Sequence, residues 1–102
     1  MSQTFEIRDG VRRAKAADIA GRETIWAQIG ESKQEQKVPI RSLLSPKSQL
    51  DVSRQRERWI NIKRQMAEEP DLLPPIHIEP GSAGTPIHDV PVVGEAGPGS
   101  VG

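Results

Sequence analysis

The sequence contains no cysteine, which excludes disulfide bonds, thiolate zinc sites and thiol nucleophiles. Aromatic residues are few, since Phe5, Trp26 and Trp59 are the only three, while nine prolines and nine glycines dilute the apolar content. No apolar run approaches the roughly 18 residues that a membrane-spanning helix needs, and no charged segment precedes an apolar one as in a secretory signal. We therefore expect a cytoplasmic protein with a thin hydrophobic core and no membrane partner.

Basic residues are missing from the last third of the chain. All 14 lysines and arginines lie between Arg8 and Arg64, so residues 1–67 carry 14 basic and 8 acidic groups. Residues 68–102 carry six acidic groups and no basic one, which brings the formal net charge to zero. A basic first part suits an anionic partner. The alternative is that the acidic end folds back and neutralises it.

A chain of 102 residues is bounded to a single domain. We assign residues 1–93 to this domain and predict that residues 94–102, rich in glycine, proline and serine, form a disordered tail. Residue patterns predict strands over 4–7, 24–29, 37–40, 75–78 and 85–93, helices over 11–20 and 52–68, and an irregular stretch over 42–51. The expected fold class is α+β, with two helices packed on a small mixed β-sheet. Pro39 predicts an edge position or a strand end, and Pro86 and Pro91 predict an edge position for the strand over 85–93.

The second predicted helix is amphipathic. Its apolar stripe contains Val52, Trp59, Ile62 and Met66, which fall within about 80° on a helical wheel. Arg56 and Lys63 lie close to the edge of this stripe. Their stems either cover the core while their charged ends reach solvent, or their charged ends point into a site.

The chemistry-bearing segment is the first strand, turn and helix. Gly10 permits a tight turn into the helix, whose first-turn amides and positive dipole end attract anions. Arg12 and Arg13 add fork-shaped donors suited to phosphate oxygens. Since cations oppose the dipole at a helix N-terminus, two of them there are better explained if an anion binds. The alternative is that Asp9 and Glu23 pair with these arginines on the surface.

The segment from Phe5 to Ile29 resembles the second conserved box of the ParB/sulfiredoxin superfamily. ParB-type proteins carry a Gly-Glu-Arg-Arg-x-Arg-Ala pattern after a strand. The matching positions are Gly10, Arg12, Arg13, Lys15 and Ala16, with Lys15 standing for an arginine and Val11 for the glutamate.

Sulfiredoxins carry a Gly-Cys-His-Arg pattern, which Gly10 and Arg13 match, and the later stretch Gly21–Ile25 is similar to theirs. Here Val11 replaces the cysteine and Arg12 the histidine, while Trp26 stands where the family has a proline. Because sulfiredoxins use that cysteine for phosphoryl chemistry, their activity is expected to be absent.

The second half of the chain resembles the first box of the same superfamily. Val38–Ile40 is similar to its opening strand, Val52–Met66 to its first helix, and Leu72–Ile76 to the segment that follows. Both boxes thus occur over roughly 75 residues, in residues 4–29 and 37–93, but in reversed order. We interpret this order as a circular permutation joined through residues 30–36.

The resemblance implies a nucleotide or nucleic-acid phosphate as ligand, since ParB-type proteins bind a cytidine nucleotide through this box. It implies phosphate contacts from Gly10, Arg12, Arg13 and Lys15. CTP or ATP, with Mg²⁺, are the cofactors it indicates. Some superfamily members resemble nucleases with an Asp-Gly-x-x-Arg core, so Asp9 is a candidate catalytic residue that positions a metal or a water. The alternatives are a non-catalytic interaction module and a ParB-like nuclease or nucleotide hydrolase.

The sequence offers little else that carries chemistry. His77 alternates with two isoleucines and is expected to face away from the core. His88 and Asp89 are adjacent in a stretch predicted to be extended, so their side chains are expected on opposite faces. We predict surface histidines and no metal site. A thin core and short exposed strands are also compatible with a homodimer.

Overall fold

The structure is a computed structural model that describes residues 3–95. Its ten regular elements are β1 (Phe5–Asp9), α1 (Val11–Ile19), β2 (Thr24–Ile29), β3 (Gln36–Pro39), β4 (Leu43–Ser45), β5 (Leu50–Asp51), α2 (Arg56–Glu68), β6 (Ile76–Pro80), β7 (Thr85–Pro86) and β8 (Val92–Val93). Single 3₁₀ turns occupy Ile40–Ser42, Pro70–Leu72 and Ile87–Asp89. None of the helices in this part of the chain is long and apolar enough to cross a membrane.

Six of the strands form one mixed sheet in the order β3-β2-β6-β1-β4-β7. β1 runs parallel to β4 and antiparallel to β6, which in turn runs parallel to β2. β3 and β7 are the edge strands, and each ends in a proline, as predicted for Pro39 and Pro86. Two helices on a small mixed sheet confirm the α+β class.

The core lies between one face of the sheet and the two helices. The inward-facing residues of the central strands alternate with outward ones, and they include Phe5 and Ile7 of β1 and Ile76 and Ile78 of β6. Helix α1 meets the core through the fully buried alanines 14, 16 and 17, whose small side chains let its backbone approach closely. Trp59 of α2, with no exposed surface, fills the largest part of this core.

Three predicted elements differ from the structure. The stretch over 85–93 is not one strand, because a 3₁₀ turn at Ile87–Asp89 divides it into β7 and β8, which belong to different sheets. Helix α2 begins at Arg56 and not at Val52, because a tight turn precedes it: the Asp51 carboxylate accepts from the Ser53 amide, and the Gln55 amide donates to the Val52 carbonyl. Val52 is fully buried nevertheless. The stretch over 42–51 is not irregular, since it supplies β4 and β5, whose partners β1 and β8 are distant in the sequence.

The contacts of the domain extend two residues beyond the predicted boundary at residue 93. The Glu95 carboxylate accepts a hydrogen bond from Trp59 Nε1 at 2.7 Å and pairs with the Lys63 ammonium, which also lies over the Trp59 ring. Lys63 therefore holds the end of the described chain, and its charged end does not point into a ligand site. The rest of the predicted tail, residues 96–102, lies outside the described residues.

Candidate functional site

A cavity of about 760 Å³ lies beyond the carboxyl ends of the parallel strands β1 and β4. We call it the junction cavity. Its walls are residues 8–13 at the β1–α1 junction, residues 46–51 after β4, and Arg58 and Ile62 of α2. Loops that follow adjacent parallel strands commonly enclose ligands in open α/β sheets. The predicted turn after β1 thus lies in the wall of this cavity.

Gly10 makes the sharp junction between β1 and α1. It caps the helix with φ 107° and ψ 27°, a conformation that side chains rarely adopt. A Cβ built there would also lie 2.8 Å from the Cβ of Ile76, which is fully buried in β6. The positive φ and the close approach to Ile76 both require glycine at this position. The sharp turn that results brings the start of α1 to the cavity wall.

The start of α1 has no side-chain cap. The first main-chain bond of the helix runs from the Ala14 amide to the Gly10 carbonyl at 2.9 Å, so the preceding amides of Val11, Arg12 and Arg13 have no such partner within the helix. No acidic residue stands in this first turn. The predicted helix start after Gly10 is confirmed, and its positive end faces the cavity.

Arg12 lines the junction cavity and is unpaired. Its Nε is buried and has no hydrogen-bond partner among residues 3–95. No carboxylate in that range lies within 4.0 Å of its guanidinium, so the alternative in which Asp9 and Glu23 pair with it is not seen. Arg12 is available to a ligand.

Arg13 is engaged with the protein. Its Nη1 donates to the carbonyls of Pro74 and Pro75 at 2.8 and 3.2 Å, and its Nη2 bonds the Asp9 carboxylate at 3.2 Å. The side chain is only 16% exposed. The guanidinium ties the β1–α1 junction to the segment that precedes β6, and the surface pairing with Asp9 that the sequence left open does occur here.

Lys15 does not line the junction cavity. Its ammonium donates to the Asp18 carboxylate and to the carbonyls of Ile87 and His88, at 3.2 to 3.3 Å, and the residue is 8% exposed. These bonds hold α1 against the turn at Ile87–Asp89. Its assignment as a phosphate contact stays a prediction without support from this geometry.

Two further cations of the junction cavity, Lys47 and Arg58, are not predicted from the sequence. Together with Arg8, Arg12 and Arg13 they make five basic side chains in the lining, against the two carboxylates of Asp9 and Asp51. Lys47 follows β4 and Arg58 lies near the start of α2, so only the tertiary fold brings them together. No local pattern at either position could have revealed their proximity.

Asp51 stays negatively charged at neutral pH. Hydrogen bonds from the side chain and the amide of Ser53 lower the pKa of its carboxyl group, and the nearby charge of Arg54 lowers it further. The Asp51 carboxylate is therefore engaged in hydrogen bonds within the turn that precedes α2. The cavity keeps an excess of positive charge.

The acidic last third folds back only in part. Glu79 pairs with Arg8 at 2.9 Å, and Glu95 pairs with Lys63. None of the six acidic residues after residue 67 lines the junction cavity. Apart from Arg8, the basic residues of this cavity form no ion pair with the acidic last third in residues 3–95.

The two histidines lie elsewhere. His77 is exposed on β6, as its alternation predicts, and is the cross-strand neighbour of Asp9. The expectation for His88 and Asp89 is wrong, because a 3₁₀ turn and not a strand holds them, and His88 Nε2 lies 3.0 Å from Asp89 Oδ1. Both side chains are more than half exposed. Across residues 3–95 no cluster of three or more potential metal-ligating side chains occurs.

Comparisons of the chain with protein-family models, with curated proteins and with solved structures give no significant match.

Proposed function

We propose that the junction cavity binds a phosphate group of a nucleotide or nucleic acid. The observation that carries this proposal is the convergence of the uncapped start of α1 with Arg12, Lys47 and Arg58 in one cavity. Amides at a helix start bind anions through aligned N–H groups and the positive dipole end. Unpaired guanidinium and ammonium groups beside them add charge-assisted hydrogen bonds.

The role of Arg13 in this proposal is to position the site. Its bonds to two carbonyls before β6 fix the β1–α1 junction, so the amides of the first turn are already arranged when the ligand arrives. A site that is ordered beforehand loses less conformational entropy on binding. Gly10 and Arg12 are the direct contacts, and Arg13 contributes its amide and its charge.

We further propose that the chain is a permuted relative of the ParB/sulfiredoxin superfamily. The strand–Gly10–helix junction supports this proposal, as does the β2–β3 connection over residues 30–35, where the permutation joins the two boxes. CTP or ATP are the nucleotides this relationship would imply. Mg²⁺ would arrive with the phosphates, since Asp9 and Asp51 are the only carboxylates that residues 3–95 contribute to the lining.

Binding is proposed without an assigned reaction. The Asp9 side chain is 71% exposed and accepts a hydrogen bond from Arg13, so it lacks the buried setting that is typical of an activated catalytic base. A nuclease or nucleotide hydrolase would degrade plasmid, RNA or nucleotides in the presence of Mg²⁺, and Asp9→Asn would abolish that turnover. No turnover, with binding intact, is the result that the proposal expects.

Titration of the ¹⁵N-labelled protein with inorganic phosphate, CTP, ATP and a short single-stranded DNA tests the proposal. Amide shifts should concentrate at Gly10–Arg13 and Lys47. Arg12→Ala should weaken binding at least tenfold, since a hydrogen bond to a charged group contributes about 1.5–3 kcal/mol.

Arg41→Ala is the matched control, because Arg41 is exposed, lies outside the junction cavity and has no carboxylate within 4.0 Å in residues 3–95. It should leave affinity within about twofold of the unmodified protein. Equal reductions of affinity in the two variants, or shifts spread evenly over the basic surface, would contradict a specific site. In that case the chain would be better described as an interaction module.

A further inference from the structure

A second group of cations adjoins the junction cavity at the start of α2. A cleft of about 440 Å³ is lined by residues 53–58, which include Arg54, Arg56 and Arg58, and we call it the arginine cleft. Arg58 lines both the arginine cleft and the junction cavity. The two depressions are therefore neighbours on one continuous surface.

The arginines of this cleft form no direct ion pair in the described part of the protein, although Arg54 lies near enough to Asp51 to lower the pKa of that carboxyl group. Within residues 3–95 no carboxylate lies within 4.0 Å of Arg54, Arg56 or Arg58. The Nη1 atom of Arg56 is buried and has no hydrogen-bond partner in that range. A buried guanidinium nitrogen without an acceptor is an unsatisfied donor that destabilises the free protein. The other nitrogens of the three arginines also have no carboxylate within 4.0 Å in that range. The cleft is therefore suited to an anion that these residues do not themselves provide.

The combined lining is strongly basic and has no aromatic side chain. Seven basic residues stand against three carboxylates, those of Asp9, Asp51 and Glu57. Trp59, the nearest aromatic in the sequence, is fully buried. Proteins that bind single strands by stacking present exposed aromatic rings to the bases. This surface offers charge to a phosphate backbone and no stacking platform to bases.

The arginine cleft is lined by residues 53–58, of which only Arg58 also lines the junction cavity. We infer that the natural ligand is a nucleic-acid strand, which places one phosphate in the junction cavity and a further phosphate against Arg54 and Arg56. This inference rests on the proposed phosphate binding at Gly10–Arg13. Recognition is through the backbone and independent of base sequence.

Fluorescence anisotropy with a labelled single-stranded DNA of about 10 nucleotides tests the inference, a length within the range of known single-strand sites. Arg54→Glu should weaken strand binding about tenfold and leave the affinity for CTP and inorganic phosphate unchanged. It should also reduce the slope of log affinity against log salt by about 0.7 for each phosphate group that the variant no longer neutralises. Arg12→Ala should weaken the binding of strand and nucleotide alike.

Arg64→Glu is the matched control, since it makes the same charge change on the adjoining helix α2. Arg64 is exposed, lies outside both depressions and donates to Asn61. Arg54→Ala, a milder change at an exposed position, shows whether weaker binding comes from the missing guanidinium or from the added negative charge. Urea denaturation of each variant checks that the fold is retained.

The possible results separate the two proposals. If the strand binds no more tightly than a mononucleotide, or if Arg54→Glu and Arg64→Glu act equally, the strand inference is overturned and phosphate binding stands. If phosphate and nucleotides cause no shifts at Gly10–Arg13 while the strand still binds through Arg54, the proposed function fails at its site. Binding of neither ligand would overturn both.

Discussion

Gly10→Ala provides the sharpest test of how the β1–α1 junction is built. The substitution places a Cβ on a residue at φ 107° and against the Cβ of Ile76, a β-branched side chain that is fully buried in the central strand β6. Ile76 cannot rotate its Cβ away, and core packing leaves its backbone little room to shift. The junction should therefore be strained both in its backbone and in its packing.

A second glycine provides a control, because an alanine there would strain the backbone but would not strain the packing. Gly21 also has a positive φ, 77°, but a Cβ there would meet no atom within 4 Å. Gly21→Ala should lower the free energy of unfolding by about 1–2 kcal/mol, the cost of a left-handed conformation for a residue with a Cβ. Gly10→Ala should lower it by about 1–3 kcal/mol more, because of overpacking against Ile76.

Urea denaturation, monitored by circular dichroism, measures both variants against the unmodified protein. The additional destabilisation of Gly10→Ala corresponds to a midpoint of thermal unfolding lower by about 4–24 °C than that of Gly21→Ala. Equal stabilities of the two variants would refute the close approach of Gly10 to Ile76. They would also remove the physical reason for placing the start of α1 at the cavity wall.

Three other substitutions test interactions that hold the site and the domain in place. Arg13→Ala should lower the free energy of unfolding by about 1–3 kcal/mol, because two carbonyls before β6 lose their donor, and an unchanged urea midpoint would contradict these two bonds. Lys15→Met should cost a similar amount, since it removes the donor to the carbonyls of the 87–89 turn, and a gain in stability would show that these bonds are not formed. Hydrogen bonds from Lys63 and Trp59 lower the pKa of Glu95 from its ordinary value of 4.5. The stability that Glu95 confers is therefore present above that value and lost as the pH falls through the lowered pKa, so acid should destabilise the unmodified protein more steeply than Glu95→Gln. Parallel stability–pH curves would exclude this carboxylate as the cause.

The β1–Gly10–α1 junction could be predicted because its signals are local. Alternating residues, a glycine and an alanine-rich stretch specify strand, turn and helix within about 17 residues of chain, and the observed bounds of α1 agree with the prediction to one residue. β4 and β5 could not be found in this way. They are two or three residues long and exist because Leu43 pairs beside Phe5 and Leu50 beside Val92, contacts that only the folded chain creates.

The residues of the candidate site show the same difference between local signals and long-range contacts. Gly10 and Arg12 follow from the local pattern at a helix start, whereas Lys47 and Arg58 reach the cavity from other elements. Spacing alone assigns Arg13 to the ligand, yet its acceptors lie 61 and 62 residues away along the chain. Spacing shows that a side chain can point toward a helix start, but not which groups the fold places in front of it.

Arginines stand at helix ends in two different settings in this chain. At the C-terminus of α2, Arg22 donates to the carbonyls of Met66 and Ala67, a placement that both the hydrogen bonds and the helix dipole favour. At the uncapped starts of α1 and α2, Arg12 and Arg56 stand against the dipole with buried nitrogens that lack acceptors among residues 3–95. Such charges cost the free protein about 0.3–1 kcal/mol each, and a bound anion reverses the sign of that contribution. Because ligand binding to the folded state alone raises stability by about 2.7 kcal/mol at a hundredfold excess over Kd, an occupied site would more than offset the cost.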